Sequence, residues 1–163
     1  MTIKEIPNLL NKDIDSYFES AANSDRRRFP KILHNKGDYH NKVFNFILED
    51  SYMHPHLHPG VEKIEKMTLI EGSIALILFN EDGEIKECEV LEKGKRDFIE
   101  VPSFTWHTYV MLSSKVIIYE TMDGIYDIST WKKMAPWAPI ENTPEAKKYL
   151  EKLKIEIQYQ VDE

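Results

Sequence analysis

The chain has 163 residues, a net charge of −7 and 42% hydrophobic residues, which predicts a single folded domain with a packed core and excludes a wholly disordered chain. Nucleic acid is bound largely through Lys and Arg, so the acidic balance argues against a nucleic-acid partner. Cys88 is the only cysteine, which excludes an intramolecular disulfide and a cysteine-ligated zinc cluster. The sequence contains neither an apolar run of the roughly 18–20 residues that span a bilayer nor an N-terminal signal-type region, so we expect a cytoplasmic protein without a membrane partner.

The first predicted element is a short amphipathic helix near the N-terminus. Asn11 is a residue type that caps helix N-termini, and it precedes apolar residues at helical spacing. These residues share one face of the predicted helix: Ile14, Tyr17, Phe18, Ala21 and Ala22. The polar run 23–25 ends the pattern, and three arginines follow at positions 26–28.

Between residues 43 and 122 the sequence changes to short runs rich in β-branched and aromatic residues. Six of these runs predict strands: Val43–Leu48, Ser73–Phe79, Ile85–Leu91, Phe98–Val101, Trp106–Leu112 and Val116–Met122. The pair Asp82-Gly83 predicts a hairpin turn between two of them. Short strands without intervening helices are typical of an antiparallel sandwich or barrel.

A second helix is predicted near the C-terminus, after an irregular stretch rich in aromatic residues and proline from Trp131 to Pro139. Thr143 is predicted as the N-cap residue of this helix and Pro144 as its first helical residue. From Ile155 to Val161 apolar and polar residues alternate. This alternation favours an additional edge strand over a continuing helix.

Histidines are clustered in the middle of the chain. Three of the six histidines lie within five residues, at His54, His56 and His58. Alternate side chains of an extended strand share a face, so the three imidazoles are expected to point the same way. Glu62 and Glu65 follow shortly, and His107 begins a later predicted strand. Imidazole nitrogens and a carboxylate oxygen suit a borderline divalent metal ion, whereas the alternative is a solvated, histidine-rich strand end.

The spacing of these residues resembles the two metal-binding motifs of the cupin superfamily. The motifs are carried by His56-x-His58, by Glu65 with six residues before Gly72, and by Pro102 followed by His107. Further stretches resemble the WbuC-type cupin metalloproteins, which are often encoded with surface-polysaccharide genes: 24–28, 33–34, 51–59, 101–108 and 135–139. The resemblance covers roughly residues 10–140.

This resemblance implies a mainly β fold, a single-domain jelly-roll barrel with a short N-terminal helix and a C-terminal helix. The one domain, residues 1–163, is expected to comprise an N-terminal helix and arm (1–40), a barrel (41–125) and a C-terminal extension with a helix (126–163). Because cupins commonly pair through sheet edges, the strand predicted over 155–161 is the candidate edge of a homodimer.

The resemblance also implies that one divalent transition metal (Fe, Mn, Zn or Ni) is bound by His56, His58, Glu65 and His107. Glu62 is the alternative carboxylate ligand, because it lies three residues after His58. We prefer Glu65, since extra residues in the preceding loop have a small entropic cost. A shift of one residue within a strand, by contrast, turns every side chain to the opposite face.

Besides this ambiguous gap between His58 and the glutamate, two positions depart from the family pattern. Phe104 stands where the family usually has glycine, which adopts a positive φ far more readily than phenylalanine. His54 stands at a position that the family does not use for metal. We predict it as a catalytic residue that hydrogen-bonds a ligand or the substrate, and the alternative is a histidine at the barrel rim.

Other residues are candidates for contact with a substrate. Arg26 and Arg28 are predicted to bind an anionic group, because guanidinium matches carboxylate and phosphate; the alternative is a solvated charge run or an interface salt-bridge cluster. His34 and Tyr52 are further candidate substrate-binding residues, with anchoring and packing as their alternative roles. Glu120 lies on a predicted strand and is the candidate general base, whereas a salt-bridged structural carboxylate is its alternative.

Three functions are compatible with the sequence. The leading hypothesis is a metal-dependent enzyme of the isomerase or epimerase type, which acts on a small polar, sugar-like or anionic substrate in surface-polysaccharide biosynthesis. The second is a non-haem iron dioxygenase, because three His and one Glu also hold Fe(II). The third is a non-catalytic module that binds a metal or a sugar.

Overall fold

The computed structural model describes residues 6–161, with side chains described for residues 6–159. Its elements are α1 (Asn11–Ala22), β1 (Arg28–Ile32), β2 (His40–Leu48), β3 (His56–Leu57), β4 (Glu65–Glu71), β5 (Ser73–Phe79), β6 (Ile85–Glu92), β7 (Phe98–Val101), β8 (His107–Met111), β9 (Lys115–Asp123), β10 (Lys133–Met134) and α2 (Pro144–Val161). Within residues 6–161, the helices are too short or too polar to cross a membrane.

The strands form two five-stranded antiparallel sheets, in the orders β1-β2-β9-β4-β7 and β10-β3-β8-β5-β6. Apolar side chains of both sheets share one core cluster, in which Met67 and Leu69 of the first sheet meet Ile74 and Leu76 of the second. This arrangement confirms the mainly β jelly-roll fold with a helix at each end of the chain. The six predicted strands agree with the observed ones to within three residues at each end.

The first sheet presents one row of side chains to the space between the sheets. β2 pairs with β9 so that Asn41 lies opposite Met122 and Val43 opposite Glu120, and β4 places Met67 on the other side of Glu120. Paired residues in neighbouring strands point to the same face, and alternate residues of one strand do so as well. The inward row of this sheet therefore combines apolar side chains with the polar Asn41 and Glu120.

The N-terminal helix covers the outer face of the first sheet. Phe18 and Ala21 of α1 are buried, and the ring of Phe18 meets that of Phe46 edge-on, with 5.4 Å between the ring centroids. The predicted cap at Asn11 is wrong. Leu10 occupies the N-cap position without a side-chain cap, and Asn11 is the first helical residue.

The C-terminal helix begins where it was predicted. α2 starts at Pro144, and the hydroxyl oxygen of Thr143 accepts a hydrogen bond of 3.2 Å from the Ala146 N–H. This bond satisfies one of the N–H groups that a helix leaves without a partner in its first turn.

The edge strand predicted over 155–161 is wrong, because α2 continues to Val161. Ala146, Leu150, Leu153 and Ile157 recur at helical spacing and are buried in one core cluster with Ala75, Ile77 and Phe79 of the second sheet. Burial of this stripe outweighs the local alternation of the tail. The candidate dimer edge is therefore absent at this position, and the homodimer stays a prediction.

Two longer strands lie in stretches that the sequence does not mark as β. β1 and β4 both contain charged residues, yet β4 buries Glu65, Met67 and Leu69 on alternate positions. β4 lies between β9 and β7, so its strand conformation is set by pairing on both edges. This pairing cannot be read from local composition.

Candidate metal centre

Three histidines and a glutamate meet between the two sheets. His56 on β3 lies opposite His107 on β8 in the second sheet, and His58 follows two residues after His56. Glu65 begins β4 of the first sheet. One potential ligand atom from each of the four residues lies within 4.8 Å of all the others, and all four residues are buried.

The three imidazoles are oriented in the same way, by a hydrogen bond from Nδ1 to a backbone carbonyl oxygen. The pairs are His56 with His54 at 2.9 Å, His58 with Trp131 at 2.9 Å and His107 with Thr105 at 2.8 Å. A carbonyl oxygen only accepts, so Nδ1 is the protonated nitrogen in each ring. Nε2 is then free to act as a metal ligand, and the carbonyl fixes the orientation of the ring.

The donor set fits a divalent transition metal. Nε2 of His107 lies 2.9 Å from Oε2 of Glu65, and Nε2 of His58 lies 3.3 Å from the same oxygen. An imidazole lone pair and a carboxylate oxygen are both acceptors, so a cation between them, either a proton or a metal ion, is needed to hold them together. Three imidazole nitrogens and one carboxylate oxygen suit several first-row divalent metals.

The electrostatics of His56 and Glu65 agree with this interpretation. Burial and the neighbouring His107 and His58 lower the pKa of His56 well below its usual value. Although burial opposes it, hydrogen bonding with His107 and His58 holds the pKa of Glu65 well below its usual value. Burial likewise opposes the shift at His107, but the bond to Glu65 raises its pKa. A neutral His56 and an ionised Glu65 are the protonation states that metal binding requires.

Glu65, and not Glu62, is the carboxylate that lies with the histidines. Gly72, in the turn after β4, has a φ of 83°, and a Cβ there would lie 2.5 Å from the carbonyl oxygen of Lys115. This close approach requires glycine and fixes the end of β4. Glu62 instead lies in the loop before β4, where its carboxylate is beside Gly60.

The turn before His107 keeps its geometry although it lacks glycine. Phe104 has a φ of 59°, in the left-handed region, and the residue is 55% exposed. Its N–H donates to the carbonyl oxygen of His58 at 3.0 Å, so the turn ties together the segments that carry two of the histidines. A non-glycine residue in this region costs about 1–2 kcal/mol.

Three residues of the His/Glu group, His56, His58 and Glu65, line a cavity of about 380 Å³. Four further candidate residues from the sequence line the same cavity: Arg26, Arg28, His34 and Glu120. Among them His34 is held at the rim, where its Nδ1 accepts a hydrogen bond of 3.0 Å from the Lys42 N–H.

The two arginines share one carboxylate. Arg28 is buried and donates to Glu141 at 2.6 Å, to the hydroxyl of Ser51 at 3.2 Å and to the carbonyl oxygen of Tyr52 at 3.2 Å. Arg26 donates to the other oxygen of Glu141, also at 3.2 Å. Two guanidinium groups with one carboxylate leave an excess of positive charge at the cavity wall.

Glu120 is a buried carboxyl group in the wall of the cavity. It accepts a hydrogen bond of 3.0 Å from the Tyr109 hydroxyl and one of 2.5 Å from the Asn45 amide. Burial and the negative charge of Glu65 raise the pKa of Glu120 to about 8. A group with this pKa exchanges a proton near neutral pH, as a general acid or base must.

His54 and Tyr52 do not line the cavity. Nε2 of His54 lies 2.8 Å from the carbonyl oxygen of Ala135, and the hydroxyl of Tyr52 donates to that of Pro139 at 2.8 Å. Tyr52 also packs edge-on against Tyr149 of α2. Both side chains bind the C-terminal extension, and the catalytic role of His54 and the substrate contact of Tyr52 stay predictions.

The sequence interpretation missed several residues of the cavity wall, among them Trp131, Lys132 and Asn41. Trp131 and Lys132 belong to the irregular stretch before β10, and Asn41 lies at the start of β2. Neither stretch carries a periodic pattern that indicates a site. The sequence indicated only that Asn41 lies two residues before Val43, the first residue of a predicted strand. In an extended chain the side chains of these two residues point to the same face.

Comparison with known proteins places the chain in a family. A family model described as a domain of unknown function, DUF6016, matches residues 9–91. The chain belongs to this family. No curated protein matches this DUF6016 protein.

Several solved structures share the fold of the DUF6016 protein. Protein SO0799 from Shewanella oneidensis has a TM-score of 0.59 at 12% identity and covers 85% of this chain and 95% of its own. CapF, solved with the inhibitor 3-isopropenyl-tropolone, has a TM-score of 0.58 at 16% identity, covering 68% of this chain and 32% of its own. Lactobacillus farciminis oxalate decarboxylase, in a formate complex, has a TM-score of 0.51 at 13% identity, with coverages of 66% and 31%.

The chain therefore spans about a third of the length of CapF and of the oxalate decarboxylase. At these identities the likeness concerns the fold alone. It shows that the DUF6016 protein has a cupin fold, and the buried His/Glu group lies inside that fold as a possible metal site.

Proposed function

We propose that this DUF6016 protein is a metal-dependent cupin enzyme of the isomerase or epimerase type, which acts on a small, anionic, sugar-like molecule. The observation that carries the proposal is the meeting of three imidazoles and the Glu65 carboxylate within 4.8 Å of one another, beside a cavity that His56, His58 and Glu65 line. His56, His58, Glu65 and His107 hold one divalent metal ion. The stretches that resemble WbuC-type cupins support a role in surface-polysaccharide biosynthesis.

The charge of the cavity wall supports an anionic substrate. Arg26 and Arg28 line the cavity, and their single shared carboxylate, Glu141, leaves one positive charge without a counter-charge. Guanidinium groups bind carboxylate and phosphate through paired hydrogen bonds. An anion in the cavity balances this charge.

The chemistry divides between the metal and Glu120. A bound divalent metal supplies Lewis-acid polarisation of a substrate oxygen. Glu120 lines the same cavity and holds or releases a proton at its carboxyl oxygens, which Tyr109 and Asn45 keep in place by hydrogen bonds. Moving a proton at a carbon beside a polarised oxygen is the step that isomerases and epimerases share.

The test is solvent exchange into candidate substrates. Metal-loaded protein is incubated in deuterated water with a panel of sugar phosphates and nucleotide sugars, and deuterium incorporation at carbon is followed by NMR. We expect incorporation into at least one compound, and its loss in Glu120→Gln. Glu100→Gln, at an exposed glutamate of β7, is the matched control and retains the activity.

Two results contradict the proposal. If no compound of the panel binds or exchanges, the sugar-directed activity is wrong. If the compounds bind but no deuterium is incorporated, the protein is a binding module. If iron-loaded protein takes up oxygen when a substrate is added, it is a dioxygenase.

A further inference from the structure

Lys63 is a buried lysine beside the metal centre, between His58 and Glu65 in the sequence. The residue is only 5% exposed. Its Nζ donates a hydrogen bond of 2.8 Å to the carbonyl oxygen of Thr130 and lies 5.2 Å from the centroid of the Trp131 ring. A lysine is rarely buried unless its ammonium group is bound, so these two contacts determine where the side chain ends.

The stem of Lys63 is enclosed by two loops. A Cβ at Gly60 would lie 3.1 Å from Cδ of Lys63, and a Cβ at Gly124 would lie 3.6 Å from its Cε. Gly60 belongs to the loop between β3 and β4, and Gly124 directly follows β9. The side chain therefore passes from the loop between two metal ligands to the segment that follows β9.

Residues 126–131 of that segment form part of the cavity wall. Tyr126 and Trp131 line the cavity, and their ring centroids lie 5.2 Å apart. The N–H groups of Thr130 and Trp131 both donate to the carbonyl oxygen of Asp127, at 3.1 Å and 2.8 Å. These bonds form a compact turn, so a displacement of Thr130 also displaces Trp131.

The carbonyl group of Trp131 connects this turn to the metal centre. Its oxygen accepts the 2.9 Å hydrogen bond from Nδ1 of His58, which leaves Nε2 of His58 for a metal ion. Lys63 thus contacts both the ring of Trp131 and the carbonyl group that precedes it. Loss of a hydrogen bond that orients a metal-binding imidazole lowers metal affinity by about 10–100-fold.

We propose that Lys63 is a positioning residue of the metal centre. By binding Thr130 and Trp131, it keeps the Trp131 carbonyl oxygen where that oxygen orients the imidazole of His58. Because the same contacts hold the Trp131 ring in the cavity wall, Lys63 couples the shape of the cavity to a metal ligand. The inference rests on the proposed function, since it requires a metal ion at the His/Glu group.

The first test measures the binding of Co(II) to chelator-treated protein, followed by its visible absorption spectrum, which depends on the coordination geometry. Lys63→Met retains the apolar stem but removes the donor and the charge. We expect it to raise the Kd for Co(II) by about tenfold or more and to change the spectrum. Lys66→Met is the matched control, because Lys66 adjoins Glu65 but points to the opposite face of β4. This control keeps the wild-type Kd and spectrum.

Urea unfolding of the metal-free proteins separates positioning from stability. Lys63→Met is expected to be less stable than wild type, since it also loses a hydrogen bond between two loops. Lower stability with an unchanged Kd and an unchanged spectrum shows that Lys63 only fastens the loop, and this result overturns the inference. If Lys63→Met does not fold, Lys63→Gln, whose side chain is one bond shorter than that of lysine, carries the same expectation.

Hydrogen–deuterium exchange of the wild-type protein is an independent readout. Because His58 and Trp131 are joined, we expect metal to lower deuterium uptake in residues 126–131 and to leave the turn 80–84, between β5 and β6, unchanged. Equal uptake in residues 126–131 with and without metal overturns the inference, whether or not the Lys63 variants fold.

The same measurements distinguish the two proposals. Wild-type protein that binds neither Co(II) nor any other divalent transition metal contradicts the proposed function. Wild-type protein that binds metal, with the same Kd and spectrum in the Lys63 variants, contradicts only the inference about Lys63.

Discussion

Nε2 of His107 lies 2.9 Å from Oε2 of Glu65, across the space between the two sheets. His107 belongs to β8 of the second sheet and Glu65 to β4 of the first. Nδ1 of His107 already donates its proton to the carbonyl oxygen of Thr105. Nε2 therefore presents a lone pair to the carboxylate oxygen, and a proton or a metal ion is needed between these two acceptors. A metal ion bound at this point would link the two sheets and so couple metal binding to fold stability.

Removal of the metal is therefore expected to destabilise the protein. A ligand that binds only the folded state, at a free concentration of about a thousand times its Kd, adds roughly 4 kcal/mol to the free energy of unfolding. For a domain of this size, the loss of that contribution on chelation corresponds to a fall in Tm of about 10 °C. Thermal unfolding with and without a chelator measures this. The double variant His56→Ala/His58→Ala is the control, since its Tm should not respond to the chelator. An unchanged Tm in metal-loaded wild type contradicts the coupling.

Glu141→Gln is expected to lower the free energy of unfolding by roughly 2–3 kcal/mol, because it leaves the buried Arg28 without its anionic partner. Although burial opposes it, Arg28 and Arg26 hold the pKa of Glu141 below its usual value. A lowered carboxyl pKa contributes stability above the unfolded-state pKa, and this stability is lost as the pH falls through the folded-state value. The difference in the free energy of unfolding between wild type and Glu141→Gln should thus become smaller at acidic pH.

Urea unfolding of both proteins at about pH 7 and about pH 3 measures this difference. Asp50→Asn removes the exposed partner of Arg27 and is the matched control, with an expected effect below about 0.5 kcal/mol. A loss at Glu141→Gln that is no larger than the control, or that is independent of pH, speaks against the buried pair.

Glu120→Gln is expected to change how stability responds to alkaline pH in the chelator-treated protein. Burial and Glu65 raise the pKa of Glu120 to about 8. A raised folded-state pKa contributes stability at low pH that is lost as the pH rises through that value. Wild-type Tm should therefore fall more steeply than that of Glu120→Gln between about pH 5 and pH 9. Parallel Tm profiles for the two proteins rule out the raised pKa.

Phe104→Gly is expected to stabilise the protein by up to about 1 kcal/mol, because glycine adopts the φ of 59° without strain and the residue is largely exposed. Phe104→Ala is the matched control, since alanine removes the ring but retains the strain. Chemical denaturation compares the two variants. Equal stabilities of the glycine and alanine variants show that the turn stores no strain.

The sequence was informative where its local pattern and the fold agree. The resemblance to cupins, carried by the spacing of His56 and His58 and by the distance from Glu65 to Gly72, implied a set of residues that the structure brings together. An antiparallel sandwich or barrel followed from six short strands with β-branched and aromatic residues, and the jelly roll followed from the resemblance to cupins. The two-residue spacing of His56 and His58 and the alternation within the strands are local features of the sequence. The same alternation determines which side chains of a sheet face the core.

The remaining features depend on contacts that are distant in the sequence. Arg28 meets Glu141 across 113 residues, and no local pattern marks that pair. Lys132 belongs to an irregular stretch whose path over the cavity is set by hydrogen bonds such as that from His58 to Trp131. The helix over 155–161 was predicted as a strand because apolar and polar residues alternate in the tail. Ile157 also satisfies the helical spacing of the buried residues before it, and burial in the core cluster decides for the helix.

The most direct test of the metal centre is elemental analysis of untagged protein, purified without chelators or nickel resin. We predict near-stoichiometric divalent transition metal in the wild type and in His40→Ala, whose exposed histidine lies outside the group, and its loss in His56→Ala/His58→Ala. Zinc or manganese favours the isomerase or epimerase activity, and iron favours oxidation. Wild-type protein that contains no metal and takes up none on reconstitution contradicts the account.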